Sequence, residues 1–464
     1  MLLIIGICAG ISVLSGCGLH EISPIQTAGV VTTPIPKTVD RVAPINGDEK
    51  VEGELPNVEQ LNWYRGNLHT HSLWSDGDDF PEMITAWYVN HGYHFLAMTD
   101  HNVLAEGERW MPAEKIAARG GETVIPKYDE RFDSKFLKRR VGAEGVEIRL
   151  TPLSEYRGEF ETPGQFLLLS GEEISDSVNQ LPVHMNAVNL LELLRPTGGK
   201  TVVDSLNGNL RALANQAEQL KRKMIMQINH PNFGWAITGE DLVAAANARF
   251  MEIFNGHPGV NHLGDEQHVS IERMWDIVNT LRIDKLEYPP IFGTATDDSH
   301  YYHGKAGSHP GRGWVMVRSA ELTPDDLLSA MQRGDFYCSS GVNLNEVKFD
   351  PNEGRLTLQI EPVDGVTFTT QFIGTRHGYN AEAKPVLNSE GEPMNVTRKY
   401  SEEIGAVLAT DESLSPSYTF AGDEIYVRAV VTSSRAHPDP AFDGQVEQAW
   451  TQPVQMNAPN EESK

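Results

Sequence analysis

The sequence predicts an α/β body, built on a parallel sheet or barrel, followed by a smaller β-rich segment. Three observations predict it. Short apolar runs alternate with helix-like stretches from residue 62 to about 345, as strands linked by crossover helices do. In most of these units a His, Asp or Glu cluster falls at the C-terminal end of the strand, the face on which α/β barrels carry their sites. Beyond 345 apolar and polar residues alternate with period two, as in half-buried strands. The composition permits such a fold. A chain of 464 residues with 40% hydrophobic and 22% charged side chains is globular, and long enough for more than one domain.

Residues 1–17 read as an export signal. The apolar run 2–15 is short of the roughly 20 residues a membrane span needs and ends in Leu14-Ser15-Gly16-Cys17. Those residues resemble the lipobox of a bacterial lipoprotein, in which the cysteine becomes the lipidated N-terminus. One feature departs from that anatomy: such a signal starts with Lys or Arg, and the first basic residue is Lys37. Residues 18–60, rich in Pro, Thr and Val and without periodicity, read as a flexible tether. The expected setting is therefore an exported lipoprotein, held to a membrane through lipid on Cys17, with its body in the periplasm or at the cell exterior. Of the remaining cysteines only Cys338 lies in the body, so neither a disulfide framework nor a thiolate metal cage is expected there.

The elements of the body follow in order. Asn67–His71 closes a first strand. Pro81 opens a helix near 82–91, and Gly92 ends it. A strand at 93–98 runs into Thr99-Asp100-His101. After a long charged insertion at 107–165, strands at 166–170, 184–190, 224–228, 250–254 and 290–295 alternate with helices near 205–222, 240–248 and 265–283. A helix at 324–333 has Thr323 as its cap, Pro324 in its first turn and Gly334 beyond its end. The alternating segments after residue 346 read as a small, sandwich-like β-domain with a polar tail.

His69 and His71 stand two apart on a strand end, which puts both side chains on one face. Asp76 follows in a loop. His101, Glu173, His230, Asp298 and His300 fall at later strand ends, and His184 at a strand start. These are imidazole and carboxylate donors without sulfur, a set that suits Zn²⁺, Mn²⁺ or Fe²⁺. They are too many for one ion.

The motifs His-x-His, Ser-Asp-Gly, Thr-Asp-His, Gly-x-Glu, Asn-His-Pro and Asp-x-His stand in this order over residues 62–345. In this the chain resembles the PHP (polymerase and histidinol phosphatase) superfamily of metal-dependent hydrolases. Gly311–Val317 and Phe336–Val342 resemble exported members with a carbaryl-hydrolase-like domain. The resemblance implies a distorted (β/α)7 barrel with two to three divalent ions at its mouth. It implies one ion on His69, His71, Glu173 and Asp298; a second on Glu173, His184 and His230; and a third on Asp76, His101 and His300. Glu172 is an alternative to Glu173, though Glu173 matches the motif spacing.

Three divalent ions would outweigh the carboxylates of Asp76, Glu173 and Asp298, leaving a cationic pocket in a protein of net charge −26. That favours a small anionic substrate, and a hydroxide bridging metals as nucleophile. The expected reaction is phosphoester hydrolysis through Asp298, His300 and Glu173, with Asp100 as acceptor for a ligand imidazole or as a strand-end brace. Amide or carbamate hydrolysis, and a non-catalytic surface binding protein, are the alternatives. The acidity counts against binding a nucleic-acid backbone. His257, His262 and His268 are candidates to reach substrate from the mouth, and His303 and His309 to donate protons. Arg65 and Arg312 are candidate phosphate forks, and Trp235 and Trp314 candidate pocket walls. His91 and His94 read as structural, and His377 and His437 as solvated.

Overall fold

The computed structural model describes residues 61–132 and 135–456. The signal and tether expected over 1–60, and the polar end 457–464, lie outside the described residues.

The chain opens with β1 (Asn62–Asn67), α1 (Pro81–Asn90) and β2 (Phe95–Met98). The insertion folds as β3 (Arg109–Pro112), α2 (Ala113–Gly120), α3 (Val124–Phe132), β4 (Arg139–Gly142), β5 (Gly145–Leu150) and α4 (Leu153–Tyr156). The body resumes with β6 (Leu167–Val178), β7 (Leu181–Val188), α5 (Val202–Leu220), β8 (Ile225–Ile228), α6 (Gly239–Ala244), β9 (Phe250–Asn255), α7 (Ile271–Leu286) and β10 (Phe292–Thr296). Then come β11 (Trp314–Ser319), α8 (Pro324–Arg333) and β12 (Phe336–Ser339). The C-terminal part holds β13 (Leu344–Asp350), β14 (Arg355–Ile360), β15 (Phe368–Arg376), β16 (Ala406–Asp411), β17 (Ser417–Thr419), β18 (Glu424–Ala436) and β19 (Val446–Thr451).

Local chemistry sets the helix ends. Thr201 with Asp204, and Thr238 with Asp241, form reciprocal caps on α5 and α6. Thr323 caps α8, and Gly334 closes it at φ 82°. The helix expected from 265 starts only at Ile271. Asp265 Oδ1 accepts the N–H groups of Gln267 and His268, which closes a local turn instead, and Ser270 then caps α7.

Thirteen strands share one hydrogen-bonded sheet, in the order β10-β9-β8-β7-β6-β2-β1-β11-β12-β19-β18-β15-β16. β1, β2 and β6 run parallel, as do β8, β9 and β10. β7 is antiparallel to both its neighbours, because it returns from β6 through a two-residue turn at Asn179 and Gln180 (φ 51° and 69°). β6 is thus much longer than the run expected at 166–170. The sheet curls until the exits of β1 and β10 meet in a single bridge, Thr70 to Ser299, where the His71 N–H donates to Ser299 O at 3.0 Å. The expected seven-stranded barrel is therefore a curled sheet joined at its mouth by one bridge, with one strand reversed.

β13, β14 and β17 form a separate three-stranded sheet. Leu344, Leu356, Leu358 and Ile360 pack there against Phe372, Val427 and Val431 of the main sheet. This is a sandwich whose second layer continues into the curled sheet through β12 and β19. The insertion has its own sheet, β3-β5-β4. Its Met111, Ile116, Tyr128 and Ile148 pack in one core with Ile84 and Tyr88 of α1.

Candidate metal centre

The structure brings all nine sequence-expected donors together at the mouth. Their ligand atoms form four overlapping groups, each within 4.8 Å: His71, Asp76, His101 and His300; His69, His71 and Glu173; His69, His230 and Asp298; His101, Glu173 and His184. The grouping differs from the one the resemblance implies. His71 also joins Asp76, His230 sits with His69 and Asp298, and His101 reaches Glu173.

The strand pattern explains each placement. His69 and His71 leave β1 on one face. Glu173 sits inside β6, so the pleat turns Glu172 the other way, where it accepts the Leu194 N–H at 2.6 Å. Of the two glutamates, Glu173 is therefore the one that faces the other candidate donors. His184 stands near the start of β7, yet β7 runs backwards, so its start lies at the same mouth as the ends of its neighbours. His230 and Asp298 adopt φ of 23° and 49°. Non-glycine residues avoid this region unless their surroundings hold them there.

Glu173 is the hub. Its Oε1 lies 3.1 Å from His184 Nδ1, 3.3 Å from His230 Nε2 and 3.4 Å from His69 Nε2; its Oε2 lies 2.6 Å from His101 Nδ1. Asp298 Oδ1 lies 3.2 Å from both His69 Nε2 and His71 Nε2. Asp76 faces His300 Nε2 at 3.4 Å and His101 Nε2 at 3.5 Å. Burial alone would raise the carboxyls of Glu173 and Asp298, but the surrounding imidazoles hold both well below the usual range. Burial would likewise lower His101, yet Glu173 and Asp76 push it up to about 11. His71 goes the other way, down to about 3, because burial and the neighbouring His300 and His101 disfavour its charge.

His69 Nε2, His71 Nε2 and Glu173 Oε2 are buried and, despite these close contacts, make no well-aligned hydrogen bond among the described residues. Such orphaned atoms are costly unless something binds them. The donor chemistry and these three atoms fit divalent metal ions. The supporting hydrogen bonds fix the tautomers. His300 Nδ1 donates to Asp298 O at 2.8 Å, leaving its Nε2 free to face the cluster.

Glu252 does the same for His69, accepting from its Nδ1 at 2.7 Å. This residue was missed by sequence reasoning. Its signal was a lone carboxylate in the otherwise apolar run Phe-Met-Glu-Ile-Phe. Glu252 also accepts from Gln227, Thr296, the His230 N–H and Asn255. Asn255 in turn donates to Asp298 Oδ2 at 3.1 Å, and Asn229 to Glu173 Oε1 at 2.8 Å.

Several expectations are corrected. Of the two roles open to Asp100, the brace is the one its bonds match: it accepts from the Ser72 N–H, the Ser72 hydroxyl and Ser75 rather than from an imidazole, and so braces the turn between His71 and Asp76. Arg65 stacks on Trp314 and Tyr93. Arg312 forks onto Asp439 and donates to Gly256 O and Gly307 O. Both guanidiniums are therefore engaged in structure. Trp235 stacks face to face on His268. His303 pairs with Asp79 and His309 with Asp439, and His262 is buried against Phe254 and Phe442. His437 is buried rather than solvated. The insertion reaches the centre: Arg119 on α2 donates to Ser75 O and Gly77 O, on either side of Asp76.

No family model matches the chain. It is similar to a two-domain protein from Bacteroides vulgatus described as containing a predicted PHP-like metal-dependent phosphoesterase, with 14% identity and a TM-score of 0.37 over 86% of this chain and 97% of the other. It is also similar to a protein from Bifidobacterium adolescentis provisionally named a metal-dependent phosphoesterase, with 13% identity and a TM-score of 0.29 over 53% of this chain and 90% of that one. At these scores neither likeness carries an assignment. A stretch of 106 residues is 26% identical to the DNA polymerase/3'-5' exonuclease PolX of Bacillus subtilis. It spans 22% of this chain and 17% of that relative.

Proposed function

We propose that the protein is a metal-dependent phosphoesterase of PHP type, acting on a small anionic substrate at a centre of two or three divalent ions. The observation that carries this reading is the convergence of nine imidazole and carboxylate donors, with His69 Nε2, His71 Nε2 and Glu173 Oε2 buried and without a well-aligned hydrogen bond among the described residues. Divalent ions bound there supply Lewis acidity and a water that ionises near neutral pH.

The residues do the rest. Glu173 links the groups by presenting both oxygens to different imidazoles. Glu252 and the Asp298 carbonyl hold His69 and His300 in the tautomer that turns Nε2 inward. The buried side of the centre, His69, His71 and Glu173, excludes water. The open side is where the side chains of Asp76, His101 and His184 are 35%, 28% and 17% exposed, so substrate approaches past them. We place the body outside the cytoplasm, tethered through Cys17; the supporting observation is the Leu-Ser-Gly-Cys sequence at 14–17.

The test uses protein lacking residues 1–17. Metal content by elemental analysis is measured beside hydrolysis of p-nitrophenyl phosphate, bis-p-nitrophenyl phosphate and a naphthyl carbamate. Two to three ions per chain are expected, with phosphoester turnover lost in His69→Ala and Asp298→Ala. Absence of stoichiometric metal after growth in metal-rich medium would sink the reading. Turnover of the carbamate alone would replace phosphoester by carbamate hydrolysis.

A further inference from the structure

The residues beyond the nine donors include one ring that faces the centre without serving it. His257 follows β9 and sits at the rim, half-buried, its centroid 5.8 Å from that of His300. Asp298, His300, His230 and His69 all lie within its electrostatic reach. Its backbone is anchored to the centre. The His257 N–H donates to Asn255 Oδ1 at 2.8 Å, and the same Asn255 donates through Nδ2 to Asp298. Phe233 stands against it at 6.3 Å between centroids, and also packs edge-on to His230 at 5.1 Å.

The ring's hydrogen bonding fixes where its proton is. His257 Nδ1 accepts the Gly259 N–H at 3.0 Å. A nitrogen that accepts carries no proton, so the ring's N–H is at Nε2. Nε2 has no partner among the described residues. Gly259 permits this geometry, because its backbone runs so close that a Cβ there would come within 3.0 Å of the His257 ring. The result is a fixed donor at the edge of a cluster of carboxylates and imidazoles, walled on one side by an aromatic ring.

We infer that His257 contacts substrate, its Nε2–H donating a hydrogen bond to an anionic oxygen of the phosphoryl group at the metal centre. This rests on the phosphoesterase reading above. A preset donor held beside developing negative charge acts without giving up its proton, and removal of one such donor costs on the order of a hundredfold in rate. His257 touches no metal-facing atom in this role, so its loss leaves the ions in place.

The experiment compares metal-loaded wild type, His257→Phe and His257→Gln. Three quantities are measured: metal content, affinity for inorganic phosphate by titration calorimetry, and kcat/KM for p-nitrophenyl phosphate. His257→Phe is expected to keep full metal, to bind phosphate about tenfold more weakly, and to lose roughly a hundredfold in kcat/KM. His257→Gln, which keeps an amide donor, is expected to recover part of both. Equal phosphate affinity in wild type and His257→Phe would overturn the inference alone. Loss of metal in His257→Phe would overturn it in favour of a positioning role. Failure of wild type itself to bind phosphate or turn over the ester would overturn the phosphoesterase reading, and this inference with it.

Discussion

Replacing Glu252 by glutamine removes a charge and keeps the shape, and it strikes the centre from behind. Glu252 is fully buried. Its Oε1 accepts from His69 Nδ1, Gln227 and Thr296 at 2.7, 3.0 and 2.7 Å, and its Oε2 from the His230 N–H and Asn255 at 2.7 and 2.8 Å. Every partner is a donor. An amide must present its own NH₂ to one side, and the less costly orientation puts it against His230 and Asn255. Two buried donors are then unpaired, at about 1–3 kcal/mol each, so the fold loses about 2–6 kcal/mol. His69 keeps an acceptor but loses the charge that raises its basicity, and His230 and Asn255 shift. Disturbing such supporting partners lowers metal affinity by about 10–100-fold. Urea denaturation of the metal-free protein reads the first effect. Competition for Zn²⁺ against a chelator reads the second. Unchanged zinc affinity in a folded Glu252→Gln protein would refute the reading that the charge of Glu252 and its bonds to His230 and Asn255 support the centre.

Three further outcomes are expected. Burial pushes Glu82 up to about 7, so the folded chain holds a proton there that the unfolded chain releases near 4.5. Stability is therefore lost as pH rises from about 4.5 through 7, by up to about 3 kcal/mol; Glu82→Gln should remove that loss, and equal urea midpoints for the two proteins at pH 8 would contradict it. Arg282 is fully buried and donates to the carbonyls of Leu242, Ala245, Ala246 and Ala248, with no carboxylate partner among the described residues. Arg282→Met should cost about 3–5 kcal/mol in a denaturant melt with no change in metal per chain. Arg119→Ala frees the loop around Asp76; zinc titration should show the weakest ion bound about tenfold less tightly, and an unchanged isotherm would make the insertion irrelevant to the centre.

The sequence by itself determined the candidate donors and the rhythm of the elements. The histidines and carboxylates at strand ends, and the cap residues Thr323, Pro324 and Gly334 of α8, are local signals, because strand alternation and helix capping act over a few residues. Tertiary structure decided the rest. The direction of β7 hangs on a turn of Asn179 and Gln180, neither of them glycine, and only that reversal explains how His184 reaches the mouth. The role of Glu252 depends on His69, 183 residues away along the chain. Arg65 and Arg312 read as candidate phosphate forks in the sequence, and only packing shows them stacked on Trp314 or forked onto Asp439. A residue's type fixes what bonds it can make. Which partner it meets is set by long-range register, which spacing along a chain does not encode.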